Sequence, residues 1–247
     1  MYECRSCKEQ FAEWQEACPA CSAFRSLQRQ AQTSASGSTT CPPRRNRGSL
    51  ITAKELAKVD LISMPLSSSW RGFLGSVPAQ FGLMAFGPAG GGKSTFLLGF
   101  ATELCRHGKV LFAAAEEGHS NSLIEKLNRL EVFSDRILIS SAINVEELSA
   151  DLDRDSAIKF LIVDSIAALP VTVAQLSDIA EARRLGVAFS LHATKNGSYR
   201  GATSWAHWVD VVARVDDGNI TLEKNRFGPL STGRLNWDYR ERECVQL

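Results

Sequence analysis

The sequence predicts an α/β protein whose mostly parallel sheet is covered by helices on both faces and is preceded by a small Cys₄ zinc ribbon. Three observations support this prediction: a glycine-rich loop between an apolar run and a helical pattern, the regular alternation of such runs and patterns, and two cysteine pairs near the start of the chain. Alternating strands and helices favour a parallel sheet because each helix returns the chain across one of its faces.

The glycine-rich loop is the segment Gly87-Pro-Ala-Gly-Gly-Gly-Lys-Ser-Thr95, which fits the phosphate-loop pattern GxxxxGK[ST]. Glycines suit this role because backbone N–H groups can approach phosphate oxygens without a Cβ in the way. We expect Lys93 to reach the β- and γ-phosphates and the Ser94 hydroxyl to complete a Mg²⁺ shell. The predicted ATP-binding residues of the loop are Gly87, Pro88, Ala89, Gly90, Gly91, Gly92, Lys93, Ser94 and Thr95.

The elements beside this loop favour a phosphate site over an ordinary glycine-rich turn. Residues 81–86 form a short apolar run, which is typical of a buried strand. Residues 94–106 are rich in Leu, Phe and Ala, lack proline and end before His107-Gly108, which is typical of a helix. A strand, a loop and a helix in this order place bound phosphates at a helix N-terminus, where the helix dipole favours anions.

The composition indicates one sizeable domain and one small domain in 247 residues, with 44% hydrophobic residues. No apolar run reaches the length of a membrane span, and residues 1–5 lack the features of a signal peptide, so we expect a soluble cytoplasmic protein with no membrane partner. The net charge is +1, but it is +3 over residues 1–50, −5 over residues 51–182 and +3 over residues 183–247. A polyanionic partner would therefore meet the two ends of the chain.

Four of the seven cysteines lie within the first 21 residues, as Cys4-x-x-Cys7 and Cys18-Pro-Ala-Cys21. Two such turns present four thiolates to one zinc ion and leave no open position, so the site is expected to be structural. In comparable peptides zinc supplies about 10–16 kcal/mol of apparent folding free energy. The alternative is that the four cysteines form two disulfides. A tight cluster of cysteines in a nucleotide-binding chain favours metal binding over disulfides. The predicted zinc ribbon spans residues 1–27.

Residues 28–49 predict a flexible basic linker, and residues 50–247 the α/β domain. The linker contains the small polar stretch 34–40, followed by three arginines within residues 42–47. These arginines either contact a nucleic-acid backbone or are simply solvated. Residues 50–78 are expected to hold a short helix and loops before the first strand of the α/β domain.

Strands and helices alternate after the phosphate loop. Predicted strands cover residues 109–115, 136–140, 159–163 and 187–191, and predicted helices cover residues 120–131, 145–152 and 174–184. Two further strands, 209–215 and 220–223, are expected to lie antiparallel at the edge of the sheet. Ligands of such sheets bind at the carboxyl ends of the strands, so the residues that follow strands are the candidates for chemistry.

Three acids follow predicted strands. Asp164 comes directly after the apolar run 160–163, the position from which a Walker B carboxylate holds Mg²⁺. Glu116 and Glu117 end the strand that follows the phosphate-loop helix, and we expect Glu116 to orient or deprotonate the attacking water. Each of these acids could instead cap a following helix. Of Glu116 and Glu117, Glu117 is the better candidate for capping alone.

Three further segments of the chain have a distinctive sequence: His192-Ala-Thr-Lys-Asn-Gly197, His207-Trp-Val-Asp210 and, above all, Lys224-Asn-Arg-Phe-Gly228. Together with the cysteine ribbon, its Trp14 and the phosphate loop, these motifs resemble the RadA (also called Sms) family of bacterial RecA-like repair ATPases. These motifs occur in the family's order over almost the whole chain, and the KNRFG pentapeptide is highly specific. The resemblance implies a RecA-like P-loop NTPase domain over residues 50–247 and a cytoplasmic protein that uses ATP, Mg²⁺ and Zn²⁺.

The resemblance also implies a homo-oligomeric ring, expected to be a hexamer, with ATP between neighbouring subunits. Lys224 and Arg226 would then reach the γ-phosphate of the next subunit, where a trans arginine raises the rate by about 10³–10⁵. The expected DNA contacts are Lys195, Arg200, Lys224 and Arg226. Trp205 either stacks on a base or belongs to the core, and Trp208 is expected to be a core residue. The alternative for the KNRFG segment is a solvated turn. His192 is expected to sense the state of the nucleotide.

Three departures from the family pattern bear on function. Family members continue into a Lon-protease-like domain, the stretch between Asp164 and His192 is shorter here, and Gly201-Ala-Thr203 stands where the family has Gly-Pro-Arg. The expected function is an ATP-dependent, DNA-stimulated ATPase of recombination or repair that binds single-stranded or branched DNA and drives branch migration or translocation. The alternative function is a nucleotide-gated module that binds DNA or a partner with little turnover, as in a loader or a KaiC-like regulator. A further alternative concerns the ribbon, which would bind a partner protein rather than DNA.

Overall fold

The computed structural model describes residues 2–4, 10–11, 27–29, 50, 52–59, 62–193, 203–234 and 245–246; for 2–4, 10–11, 27–29 and 245–246 it describes the backbone alone. The chain divides into two compact units, Met1–Val59 and Asp60–Leu247. Each unit has its own sheet.

The first unit contains three short antiparallel strands in the order β2-β1-β3. They are β1 Tyr2–Cys4, β2 Gln10–Phe11 and β3 Leu27–Arg29. Helix α1, Ala53–Leu56, begins with a capping box in which Thr52 and Glu55 exchange side-chain and backbone hydrogen bonds. The predicted zinc ligands Cys7, Cys18 and Cys21 lie outside the described residues, as does the side chain of Cys4. The zinc ribbon and its boundary with the linker therefore stay predictions.

The second unit contains a nine-stranded sheet in the order β12-β11-β10-β9-β4-β8-β7-β5-β6. The strands are β4 Gly82–Gly87, β5 Lys109–Ala113, β6 Ile137–Ser140, β7 Ile158–Val163, β8 Gly186–His192, β9 Val211–Asp216, β10 Asn219–Asn225, β11 Thr232–Arg234 and β12 Val245–Gln246. The six strands from β9 to β6 are parallel, and β10, β11 and β12 continue the sheet in antiparallel fashion. The prediction of a mostly parallel sheet is confirmed.

Six helices belong to the second unit in the described part of the chain. They are α2 Ser68–Leu74, α3 Lys93–Leu104, α4 Asn121–Arg129, α5 Val145–Asp153, α6 Val173–Arg183 and α7 Thr203–Trp208, with one turn of 3₁₀-helix at Ile166–Ala168. Every strand and helix predicted between residues 81 and 191 is present, with ends that differ by at most two residues. None of the helices in the described residues is both long and apolar enough to cross a lipid bilayer.

Helices cover both faces of the sheet, as predicted. Along β4, Leu83 and Ala85 pack into a core with α2 and α3, whereas Met84 and Phe86 pack into a second core with α5 and α6. All six residues of β4 are buried. Burial on both faces explains why the central strands are continuous apolar runs rather than alternating patterns.

The expectation that residues 209–215 form an antiparallel edge strand is wrong. Strand β9 pairs in parallel with β4 and lies inside the sheet, and only its partner β10 is antiparallel. Parallel pairing requires a crossover, and the segment that contains α7 returns the chain from the end of β8 to the beginning of β9. Strand β10 is not at the edge either, because β11 and β12 extend the sheet beyond it.

Candidate functional site

The phosphate loop connects the end of β4 to the start of α3. Gly90 and Gly92 have φ angles of 76° and 102°, in the left-handed region that favours glycine. Gly92 is the N-cap residue of α3, and its carbonyl accepts the hydrogen bond from the Phe96 N–H at 2.9 Å. The glycines thus allow the loop to turn sharply into the helix, and its N–H groups remain at the helix N-terminus, where anions bind.

Two other loop glycines are required by close contact with the β9–β10 hairpin. A Cβ atom on Gly87 would lie 1.8 Å from the carbonyl oxygen of Val215, and one on Gly91 would lie 2.9 Å from the same oxygen. The Gly218 N–H, in the turn of this hairpin, donates to the Gly91 carbonyl at 3.1 Å. The hairpin therefore supports the loop from the side.

Lys93 begins α3 and is buried, with 6% of its surface exposed. Its Nζ donates to the carbonyl oxygens of Gly87 at 3.1 Å and Pro88 at 2.7 Å, and lies 3.5 Å from Nδ1 of His192. Burial lowers the pKa of Lys93, and nearby carboxylates oppose this shift. The ammonium is thus held beside the loop by oxygen atoms of the loop itself.

Asp164 follows β7 directly, at the carboxyl end of that strand. The Ser190 hydroxyl on the neighbouring strand β8 donates to Asp164 Oδ1 at 2.5 Å. The Asp164 N–H donates to the Ala113 carbonyl at 2.8 Å, and the peptide bond to Ser165 is cis. The carboxylate therefore lies at the edge of the sheet from which the phosphate loop also emerges.

Glu116 and Glu117 lie in the turn after β5 and have different partners. The Glu116 N–H donates to the Asp164 carbonyl at 3.3 Å, and Glu116 Oε2 lies 3.2 Å from Nε2 of His192. Glu117 instead forms an ion pair with Lys126 of α4. The Glu116 side chain is 51% exposed and that of Glu117 is 28% exposed. The two adjacent acids are thus chemically distinct.

One cavity of about 330 Å³ brings these residues together. The phosphate loop, Ser94, Thr95, the three acids and His192 line it, and its volume falls within the range of ligand pockets, about 300–1,000 Å³. Lys126 and Arg129 of α4 also line this cavity. Sequence reasoning missed both, although their spacing of three residues places them on one face of a helix that follows the acidic turn.

The structure does not bring Lys224 and Arg226 to this cavity within one chain. Asn225 pairs with Val211, the first residue of β9, so the KNRFG segment lies at the amino-terminal end of the parallel strands. The phosphate loop lies at their carboxyl-terminal end. Strand β4 has six residues, and at a rise of about 3.3 Å per residue the two ends are roughly 20 Å apart.

Lys224 and Arg226 both have partners in their own chain. Lys224 Nζ donates to the carbonyl of Ala206 at 2.8 Å and to that of Val209, at the end of α7. Burial lowers the pKa of Lys224, and the neighbouring positive charge of Arg226 lowers it further. Arg226 Nη1 lies 3.1 Å from Asp210 Oδ1, and the Arg226 side chain is 54% exposed. Lys224 is therefore bound more closely within its chain than Arg226.

Trp205 and Trp208 form an aromatic cluster with Phe189 of β8. The ring centroids of Trp205 and Trp208 lie 5.0 Å and 6.2 Å from that of Phe189. Trp208 Nε1 donates to Ser177 Oγ at 3.2 Å. Both tryptophans thus pack beside the sheet, as expected for Trp208 and as one of two alternatives for Trp205. The predicted DNA contacts Lys195 and Arg200 lie outside the described residues.

Sequence relatives of the chain are found among DNA repair proteins. No protein-family model matches the chain. The chain is similar to the DNA repair protein RadA of Chlamydia muridarum, with 27% identity over 253 residues that cover 93% of this chain and 55% of that protein. It is likewise similar to RadA of Escherichia coli, with 26% identity over 260 residues that cover 93% of this chain and 56% of that protein. The chain thus spans about half the length of the curated relatives it matches.

Two solved structures share the fold. One is an ATPase domain that superposes with a TM-score of 0.57 at 13% identity and covers 78% of this chain and 95% of that one. The other, the flagellar accessory protein FlaH from Methanocaldococcus jannaschii, superposes with a TM-score of 0.56 at 12% identity and covers 76% of this chain and 99% of that one. The chain is thus similar in sequence to RadA proteins over almost its whole length, and its fold is that of RecA-like P-loop ATPase domains.

Proposed function

We propose that this chain hydrolyses ATP in a Mg²⁺-dependent and DNA-stimulated reaction of DNA repair or recombination. The observation that supports the proposal most directly is the single cavity lined by the phosphate loop, Lys93, Asp164 and Glu116. The similarity to RadA proteins supports the biological setting.

The phosphate loop and Asp164 would hold the nucleotide and its metal. Residues 87–95 bind the phosphates, with Lys93 against the β- and γ-phosphates. Ser94 and Asp164 supply oxygen ligands of the kind that Mg²⁺ prefers. A Mg²⁺ ion held by these residues would neutralise charge that develops on the phosphate oxygens. The residues fit this role because Gly90 and Gly92, with positive φ angles, turn the loop into the N-terminus of α3, and Ser190 orients the Asp164 carboxylate.

Glu116 is the proposed general base for the attacking water. Its carboxylate is half exposed toward the cavity and contacts His192, whereas Glu117 is neutralised by Lys126. A general base must be able to approach the water and accept its proton. His192 lies between Glu116 and Lys93, so this imidazole is placed to respond to the charge of the terminal phosphate.

Lys224 and Arg226 are proposed to act on the nucleotide of a neighbouring subunit in a ring, which we propose to be a hexamer. Their separation of roughly 20 Å from the phosphate loop of their own chain excludes a contact in cis. Arg226 is the better placed of the two, because its side chain is half exposed and has to leave only the Asp210 carboxylate. Lys224 would have to leave the carbonyl groups at the end of α7.

The proposed ligands outside the cavity are DNA and zinc. Lys195, Arg200, Lys224 and Arg226 would contact the backbone of single-stranded or branched DNA, and ATP-driven movement along it is the proposed basis of branch migration or translocation. Cys4, Cys7, Cys18 and Cys21 would hold a structural zinc ion. We propose that the protein works in the cytoplasm.

A second candidate function is a nucleotide-gated module that binds DNA or a partner with little turnover. The hydrogen bonds between Lys224 and the end of α7 favour this candidate. They engage one of the two cations that would otherwise complete the ATP site of a neighbouring subunit. In this candidate, ATP binding alone changes the affinity for the partner.

A phosphate-release assay with and without single-stranded DNA distinguishes the two candidates. The first predicts steady turnover that DNA increases and that Lys93→Ala abolishes while the variant remains folded. Rates near zero, with ATP binding retained in isothermal titration, would favour the module. A wild-type protein that binds no ATP in the presence of Mg²⁺ would refute both.

A further inference from the structure

We infer that Lys126 is a positioning residue for the hydrolysis proposed above: it holds Glu117 and thereby fixes the turn that carries Glu116. The inference rests on the proposed function of this cavity. The Lys126 ammonium forms an ion pair with Glu117 Oε1 across the space between α4 and the turn after β5. Both side chains line the cavity.

Besides the contact between Glu116 and His192, three described contacts hold the acidic turn, one within the turn and two to the rest of the fold. The Gly118 N–H donates to the Ala114 carbonyl at 2.7 Å, which closes the turn on itself. The Glu116 N–H donates to the Asp164 carbonyl at 3.3 Å, which ties the turn to the neighbouring strand β7. The ion pair between Glu117 and Lys126 is the third attachment and ties the turn to α4.

Helix α4 is a firm anchor for this ion pair. The Ser120 hydroxyl accepts the Leu123 N–H at 3.3 Å and so caps the start of the helix. Leu123 is buried, and Leu127 packs against the same core. Because Lys126 lies between these two apolar residues, its backbone cannot move without disturbing the core.

Partial burial strengthens the ion pair. The side chains of Lys126 and Glu117 are only 22% and 28% exposed. Charges that are shielded from water attract each other more strongly than exposed ones. The pair therefore holds Glu117 against α4, whereas Glu116 is the more exposed of the two adjacent acids and contacts His192.

Lys126 thus selects which carboxylate acts on water. When the ion pair is present, Glu116 faces His192 and Glu117 faces α4. Without the lysine, the Glu117 carboxylate loses its partner on α4 and can turn toward Glu116 and Asp164, which repel it. Small displacements of a catalytic group reduce rates strongly, because reacting atoms must meet at near-contact distances.

Measurements of turnover and nucleotide affinity in four variants test this inference. The variants are Lys126→Met, Lys126→Arg, Glu117→Gln and the double variant Lys126→Met/Glu117→Gln. We expect kcat to fall about 10–100-fold in Lys126→Met, in line with the cost of a small misplacement, with the Kd for Mg²⁺-ATP within about 3-fold of wild type. Lys126→Arg should restore most of kcat. The double variant should be no worse than the single ones, because the two residues act as one unit.

The matched control is Lys109→Met, which removes a second partly buried ion pair, between Lys109 at the start of β5 and Asp155, outside the cavity. It should leave kcat unchanged. A weakened Kd in Lys126→Met, with normal Kd and kcat in Glu117→Gln, would mean that Lys126 contacts the nucleotide directly, and would overturn the inference. Wild-type kcat in Lys126→Met would also overturn it while leaving the proposed function intact. Wild-type protein with no Lys93-dependent turnover would refute the proposed function itself, and the inference with it.

Discussion

The Ser190 hydroxyl on β8 donates a 2.5 Å hydrogen bond to Asp164, the residue that follows β7. Strand register explains this contact: Val163 pairs with Phe189 in the parallel ladder, so the next residue of each strand meets its counterpart at the same edge. Ser190 is fully buried. A buried hydroxyl therefore orients the carboxylate that we propose as a metal ligand.

Ser190→Ala should raise the Mg²⁺ concentration for half-maximal ATP hydrolysis by about 10-fold, since partners that orient a metal ligand are typically worth 10–100-fold in affinity. Ser140→Ala is the matched control, because the buried Ser140 hydroxyl donates to Asp151 at the same 2.5 Å distance on β6. Both variants should lose about 1–3 kcal/mol of unfolding free energy, but only Ser190→Ala should change the magnesium titration. Identical titrations would contradict the proposed role of Asp164.

Gly87→Ala should destabilise the protein by about 3 kcal/mol or more, at the upper end for overpacking, because the new Cβ would lie 1.8 Å from the Val215 carbonyl. The control is Gly118→Ala, at φ 59° with no atom within 4 Å of its Cβ position. Its cost should be about 1–2 kcal/mol, from the left-handed backbone alone. Urea unfolding followed by circular dichroism measures both. Equal losses would show that the β9–β10 hairpin can move away from the loop.

Arg226→Ala should lower ATP turnover by about 10³-fold or more if the guanidinium acts on a neighbour's phosphate. Mixing Arg226→Ala with Lys93→Ala should restore part of the activity. Each variant then supplies the component that the other lacks at a shared site. The measurement is phosphate release across mixing ratios.

Lys224→Ala provides a comparison within the same mixing experiment. Its ammonium binds the end of α7, so this variant should also lose unfolding free energy. The absence of restored activity at every ratio, for both Lys224→Ala and Arg226→Ala, would argue for a role within one chain.

The acid stability of the protein should depend on Asp155. Lys109 Nζ lies 2.5 Å from Asp155 Oδ2, and this hydrogen bond, followed by the one from the Ala157 N–H, lowers the pKa of Asp155 from 3.8. A lowered carboxyl pKa stabilises the folded state above the unfolded pKa, and this stabilisation is lost as the pH falls through the folded pKa. Wild type should therefore be more stable than Asp155→Asn at pH 7, and the difference should vanish well below pH 3.8. Urea unfolding of both proteins across this pH range measures the difference in unfolding free energy. A difference that stays constant with pH would contradict the prediction.

Most of the sheet and the position of the cavity were predictable from local patterns. Strands buried on both faces are continuous apolar runs, and the carboxyl ends of parallel strands meet at one edge. The phosphate loop, Glu116 and Asp164 all follow such runs, so their convergence on one cavity follows from the alternation of strands and helices.

The partners of these residues were not predictable in the same way. The contact between Ser190 and Asp164 depends on which strands are neighbours and on their register. The contact between Lys126 and Glu117 depends on how α4 is rotated over the turn. Neither strand order nor helix rotation is written in a short window of sequence, because both result from packing between segments far apart along the chain.

The amino-acid sequence by itself determines three local properties of this protein. They are the order of the elements, the glycine-rich loop before a helix and the acids at two strand ends. The tertiary structure alone decides three other features. They are the position of β9 beside β4, the attachment of Lys224 to α7, and the different partners of Glu116 and Glu117. The physical reason is that propensities and capping act over a few residues, whereas these contacts join residues brought together by burial of the two cores.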